Sequence, residues 1–160
     1  IVLDRINKKL IGAKNMGSTH QINNLSENLE EKILSITKNK GLDYIFDFTG
    51  NRSLQESCFK ILKKGIPGHS VGGTMAIIGF SYDNISFSSK NLLMNNQTIV
   101  GMRGGWCNPK VDFPKLINKI KNNSINVKEI ITEQHELKNL NNVIKRFKNN
   151  EILGRAVIKI

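Results

Sequence analysis

Four short segments carry the side chains and the backbone freedom that ligand chemistry needs, and each closes a run of apolar, mostly branched residues. Ile1-Val2-Leu3-Asp4 ends in one carboxylate just before a helical stretch, with Lys9 about one turn into that helix. A carboxylate so placed can accept hydrogen bonds from two neighbouring hydroxyls, and a lysine beside it can neutralise charge. Thr49-Gly50-Asn51 ends a second run, where the glycine lets backbone approach a flat ligand and Asn51 offers both a donor and an acceptor. Ile78-Gly79-Phe80 ends a third and Met102-Arg103-Gly104-Gly105 a fourth. Singly these features are ordinary, because a glycine after a strand commonly makes a turn and an Asp there commonly caps a helix. Their recurrence at successive strand ends predicts one binding edge, since open α/β sheets bind ligands outside the carboxyl ends of their strands.

Short apolar runs alternate along the chain with longer segments of helical period, the pattern of an α/β fold with a largely parallel sheet. The spacing predicts a strand at 1–4, a helix at 7–16 closed by Gly17, and a strand at 20–23. Ser26 is the expected N-cap of a helix carrying Leu29, Ile33, Leu34 and Thr37 on one face and stopped by Gly41. A buried strand at 44–49 leads to a helix with Leu54, Cys58, Ile61 and Leu62 in its core stripe, ending at Gly65, and then to a buried strand at 74–79. Looser strands at 85–88 and 98–102 follow, and Pro114 suits the first turn of a helix bearing Leu116, Ile117 and Ile120. A strand at 127–131, an amphipathic helix from Leu137 to Phe147 and a strand at 156–160 complete the pattern. An apolar strand with a terminal Asp before a helix is the second strand of a dinucleotide-binding fold, in which that Asp lies about 20 residues after a glycine-rich turn. No such turn precedes Asp4 here. The expectation is therefore a Rossmann-like doubly wound sheet, incomplete at its N-terminus, in the carboxyl-terminal piece of a longer enzyme.

With 39% hydrophobic and 23% charged residues in 160, the composition is that of one globular core rather than a disordered chain. No apolar run approaches the roughly 20 residues that span a bilayer, and no signal-peptide pattern opens the sequence, which predicts a soluble, cytoplasmic protein without a membrane partner. Cys58 and Cys107 stand far apart without flanking ligands, against a disulfide framework or a metal knuckle. The net charge of +11 raises the question of a phosphate-backbone partner. The lysines, among them Lys32, Lys60, Lys64, Lys119 and Lys145, are spread over every predicted helix, and no helix-turn-helix, zinc or aromatic RNA-binding signature accompanies them. A solvated surface is expected, and no nucleic-acid partner.

The collinear segments Val2-Leu3-Asp4 with Lys9-Leu10, Ala13-Lys14 with Gly17-Ser18-Thr19-His20, and Gly41-Leu42-Asp43-Tyr44 with Phe48-Thr49-Gly50 carry a resemblance that continues to the end of the chain. It runs on through Leu62-Lys63-Lys64-Gly65, residues 73–80, Gly101 with Gly104-Gly105, Asp112-Phe113-Pro114, Ile130-Ile131-Thr132 and Arg155-Ala156-Val157-Ile158. The order resembles the carboxyl-terminal, NAD-binding half of the zinc-type medium-chain alcohol dehydrogenases. That resemblance implies NAD-dependent, zinc-assisted oxidation of a small alcohol to an aldehyde or ketone. It implies that Asp4 holds the adenosine ribose and favours NAD over NADP by repelling a 2′-phosphate, with Lys9 supporting the same ribose. Thr49, Gly50 and Asn51 would line the adenine side, Ile78, Gly79 and Phe80 would lie near the nicotinamide, and the backbone around Arg103 would contact its carboxamide. Arg155 resembles an arginine near the pyrophosphate. Residues 1–103 would be the partial dinucleotide-binding domain, and 104–160 a segment that packs back onto a catalytic domain. A homodimer or higher homo-oligomer is expected of the complete protein, joined through the region of the 85–88 and 98–102 strands.

Two departures from the family pattern bear on function. Residues 65–73 are longer than the usual turn, and His69 within them is assigned no role; His20 and His135 are read as structural. The family's zinc ligands, glycine-rich turn and first strand belong to a preceding part, so the chain alone is expected to be inactive, weak in NAD binding and poorly stable, with a gap in mid-sheet. Three alternatives stay open: a zinc-free, NADPH-dependent quinone or enoyl reductase of the same superfamily, against which Asp4 counts; a basic nucleic-acid-binding module; and a dimerisation remnant without catalysis.

Overall fold

A computed structural model describes residues 1–125 and 130–160, so the strand expected at 127–131 lies, but for its last two residues, outside the described residues. The chain divides into two compact units, residues 28–107 and residues 1–27 with 108–160. Both are built from parallel strands and helices, the α/β class that the sequence predicts.

In the unit of residues 28–107, strands β3 (Tyr44–Asp47), β4 (Thr74–Ile77) and β5 (Thr98–Gly101) pair in parallel in the order β3-β4-β5. The register sets Asp47 beside Ile77 and Ile77 beside Gly101, so all three carboxyl ends share one edge. Helix α2 (Leu29–Ile36) precedes β3, α3 (Arg52–Lys60) joins β3 to β4, and α4 (Ser89–Met94) joins β4 to β5. Each begins with a side chain that occupies an otherwise orphaned backbone donor: Asn28 accepts from Glu31 N–H, Asn51 from Leu54 N–H and Ser88 from Asn91 N–H. Asn28 thus takes the capping place expected of Ser26, which lies instead in the turn after Asn23. The core joins α3 to β4 through Cys58, Phe59, Leu62 and Met75, with Ile45, Leu54, Ile77, Phe87 and Ile99 packed around them. Full burial of one such side chain contributes about 1.5–3 kcal/mol.

Three sequence expectations fail in physically instructive ways. The strand at 44–49 is not buried on both sides: Tyr44, Phe46 and Phe48 are 69%, 58% and 72% exposed, while Ile45 and Asp47 turn inward. The apolar run conceals a half-covered edge strand, because aromatic residues occupy its outer face. Residues 85–88 form no strand; Phe87 packs edge-on against Phe59 at 5.0 Å, and Ser88 caps α4, so the alternation reflects anchoring of an irregular segment. Pro114 stands inside α5 (Pro109–Lys121), whose N-cap is Asn108 and whose first residue is Pro109. Pro109 takes the first-turn place that proline favours, leaving Pro114 to be carried within the helix without an N–H to donate. The longer segment at 65–73 is tied down, with Gly65 and Gly72 N–H groups donating to the Asn95 and Asn96 carbonyls.

In the other unit, β1 (Val2–Asp4) pairs in parallel with β2 (Gln21–Asn23) around α1 (Asn7–Asn15), and β6 (Ile131–Glu136) pairs in parallel with β7 (Arg155–Lys159) beside α6 (Leu140–Lys148). Leu10, Ile22, Val143 and Ile152 are buried among its described residues. Arg146 of α6 forms a two-pronged bond to Glu133 of β6, at 2.7 and 2.8 Å, and His135 Nε2 lies 2.8 Å from the same carboxylate. Arginine first, then histidine, hold the Glu133 carboxyl down at about 2. His135 is therefore part of a structural cluster, and its acidic neighbour two residues away is one that sequence reasoning missed.

Candidate functional site

The common edge of β3, β4 and β5 gathers seven of the ten candidate residues. Thr49, Gly50 and Asn51 form the turn after β3, and Ile78, Gly79 and Phe80 the turn after β4. These turns touch backbone to backbone. A Cβ on Gly50 would strike the Phe80 carbonyl, and one on Gly79 would strike the Gly50 nitrogen and lie 2.6 Å from the Phe48 carbonyl carbon. Gly50 also has φ of +63°, a conformation that side chains other than glycine's resist. Both glycines are thus required by close approach. Arg103 follows β5, where Met102 N–H donates to the Ile77 carbonyl, and it opens a tight turn through Trp106 with Gly104, Gly105 and Trp106 all at positive φ.

One residue to which the sequence pattern gave no role ties this edge together. Asp47, the last residue of β3, is only 6% exposed. Its carboxylate accepts from Thr49 N–H at 3.0 Å, Thr49 Oγ1 at 2.6 Å, Gly50 N–H at 3.2 Å and Gln55 Nε2 at 2.5 Å. Its carbonyl accepts from Ile78 and Gly79 N–H at 2.9 and 2.8 Å. The signal in the sequence was a lone acid within an apolar run, matched by a Gln on the core-facing side of the next helix. Asp47 also adds, after burial itself, to the forces that push the Cys58 thiol up to about 11. Asn51 spends its side-chain oxygen on the cap of α3, so that its amide N–H groups are the polar part of the side chain not used in the cap.

Asp4, Lys9 and Arg155 belong to the other unit. Asp4 ends β1, is partly buried, and accepts from Ile6 N–H at 2.9 Å through Oδ1. Beside it in register stands Asn23, whose amide donates to Asn7 Oδ1 at 2.6 Å. Lys9 lies in the first turn of α1. Arg155 opens β7, exposed, with Nη1 3.4 Å from the Gly154 carbonyl. Among the described residues no group of three or more His, Cys, Asp or Glu side chains is arranged to hold a metal ion.

The family model described as zinc-binding dehydrogenase matches residues 1–122. The chain belongs to that family. Among its relatives are alcohol dehydrogenase 2 of Tanacetum cinerariifolium, 28% identical over 92% of this chain and 38% of that protein, and sorbitol dehydrogenase of Bacillus subtilis, 26% identical over 93% and 40%. The zinc-binding dehydrogenase chain thus spans about two fifths of the length of these relatives. The same fold recurs in benzyl alcohol dehydrogenase from Acinetobacter calcoaceticus, with a TM-score of 0.86 at 21% identity, over 99% of this chain and 41% of that one. An alcohol dehydrogenase from Aeropyrum pernix matches with a TM-score of 0.80 at 20% identity, over 99% and 42%.

Proposed function

We propose that the chain is the nucleotide-binding part of an NAD-dependent dehydrogenase that oxidises an alcohol to an aldehyde or ketone. The observation that carries this reading is the aligned carboxyl edge of β3, β4 and β5, the edge at which open α/β sheets bind ligands, with two glycines letting the turns after β3 and β4 meet backbone to backbone. Membership in the zinc-binding dehydrogenase family and alcohol-dehydrogenase relatives supply the reaction class. When bound, NAD would accept hydride from the alcohol carbon. Asp4 would hold the adenosine ribose, its second oxygen being available beyond the bond to Ile6, with Lys9 near the same sugar. Thr49, Gly50 and Asn51 would face the adenine side, Ile78, Gly79 and Phe80 the nicotinamide, and the backbone at Arg103 its carboxamide; Arg155 would meet the pyrophosphate.

The described residues do not fit a zinc site, and no step is assigned to a metal on this chain. The strand pairing also favours a nucleotide site completed by residues outside this sequence. Among the described residues β1 pairs with β2 alone and β3 is the edge of its sheet, whereas the dinucleotide-binding order 3-2-1-4-5-6 has a strand between the counterparts of these two. The isolated chain is accordingly expected to turn over no alcohol and to bind NADH weakly. β5, the other edge of its sheet, is the place for self-association of the complete protein.

Titration of the chain with NADH and NADPH, followed by nucleotide fluorescence, tests the reading. Preference for NADH, narrowed by Asp4→Ser, is expected. Equal affinity for the two nucleotides, or tighter NADPH binding, would favour the zinc-free reductases instead.

A further inference from the structure

We propose that Asp47 is a positioning residue of the ligand edge: it never touches the nucleotide, yet it locks the turns after β3 and β4 into the one arrangement that accepts it. This rests on the reading of that edge as the NAD site.

Asp47 bonds to both turns. Its side chain takes three bonds from Thr49 and Gly50, and its carbonyl takes the Ile78 and Gly79 N–H groups. The two glycines leave no slack, since a methyl on either would collide with the opposite turn's backbone. A shift of Gly50 is therefore transmitted directly to Gly79 and Phe80.

The chemistry is costlier than a core needs. A buried carboxylate and a buried amide replace what apolar side chains could fill, and such polar groups add stability only when fully satisfied. Gln55 is 1% exposed, spends one amide N–H on Asp47, and leaves Oε1 without a partner among the described residues. A buried unsatisfied acceptor counts against stability. What the Asp47–Gln55 pair does achieve is orientation: Gln55 fixes Oδ2 so that both carboxylate oxygens face the Thr49-Gly50 turn.

Asp47→Asn keeps the size but replaces one carboxylate oxygen by an amide N–H₂, so that either Gly50 N–H or Thr49 N–H loses its acceptor. Met75→Ala, in the core of the same sheet and without contact to either turn's hydrogen bonds, serves as the variant that lowers stability alone. The measurements are NADH affinity at a temperature where circular dichroism shows each variant folded, and amide exchange of Gly50 and Gly79 by NMR. The expected result is a tenfold or greater loss of NADH affinity in Asp47→Asn and less than twofold in Met75→Ala, with faster exchange at both glycines although Gly79 makes no bond to the altered side chain. NADH affinity of Asp47→Asn within twofold of the parent, or a loss matched by Met75→Ala, would overturn the proposal. If the parent chain binds no NADH, the nucleotide reading of the edge fails, and exchange decides the positioning role: unchanged protection at Gly79 overturns it, lost protection at both glycines upholds it. Should Asp47→Asn fail to fold, Gln55→Met, which removes one donor at nearly constant volume, carries the same test, with a smaller loss of at least threefold expected.

Discussion

Replacing Gly79 by Ala tests the packing of the two turns through its effect on stability. The added methyl would collide with the Gly50 nitrogen and lie 2.6 Å from the Phe48 carbonyl carbon and 2.7 Å from the Thr49 nitrogen, all backbone atoms that cannot swing aside. Relief requires the turns to separate, which loosens the Ile78 and Gly79 bonds to the Asp47 carbonyl, now 2.9 and 2.8 Å. Two hydrogen bonds at about 0.5–1.5 kcal/mol each and overpacking strain of about 1–3 kcal/mol oppose a gain of about 0.4–1 kcal/mol from the stiffer unfolded chain. The net loss is about 1–6 kcal/mol. Gly12→Ala is the internal comparison: Gly12 lies within α1 with nothing inside 4 Å of an added methyl, so the change should stabilise by about 0.5–1 kcal/mol. Urea unfolding of both variants reads these energies from the midpoint and slope. A loss below about 0.5 kcal/mol for Gly79→Ala would refute the reasoning, because it would mean that the turns have room to part.

Further outcomes follow from the electrostatics and the core. Glu133 ionises in the folded chain at about 2 rather than its usual 4.5, so its contribution is present above pH 4.5 and drains away as pH falls toward 2. In Glu133→Gln the acid limb of a urea-midpoint-versus-pH curve should flatten over that window; parallel curves would contradict the pairing with Arg146 and His135. Cys58, buried and raised to about 11, should resist alkylation at pH 8, while exposed Cys107 reacts, giving one fast equivalent per chain; two fast equivalents would contradict the burial. Met75→Ala, at 0% exposure, should cost about 2–5 kcal/mol of stability by calorimetry or urea, and a cost below about 1 kcal/mol would show that the core around α3 and β4 is loose.

The parallel α/β class and most elements were legible because their signals are local: apolar runs for β1 and β4, the helical stripe through Cys58, and Gly17 at the end of α1, whereas Gly41 and Gly65, expected to stop helices, lie five residues beyond the ends of α2 and α3, which close at Thr37 and Ile61. What failed depended on neighbours that a sequence does not show. The aromatic residues of β3 read as core although they face outward at a sheet edge, and Phe87 read as strand because one anchored ring gives the same alternation. Asn28 and Ser26 compete for one cap, and type alone cannot choose between two good acceptors two residues apart. At the ligand edge, the glycines were visible as residue types, but their necessity comes from the opposing turn. Asp47 was hidden for the same reason, since its partners at Ile78 and Gly79 lie about thirty residues away and meet it only through the register of β3 with β4.

The most direct measurement is an amide NMR titration of the chain with NADH. The account predicts shifts concentrated at Asp4, Thr49, Gly50, Gly79 and Phe80. Shifts confined to the lysine-rich faces of α5 and α6, or none at saturating nucleotide, would contradict the claim that these strand ends form a dinucleotide site.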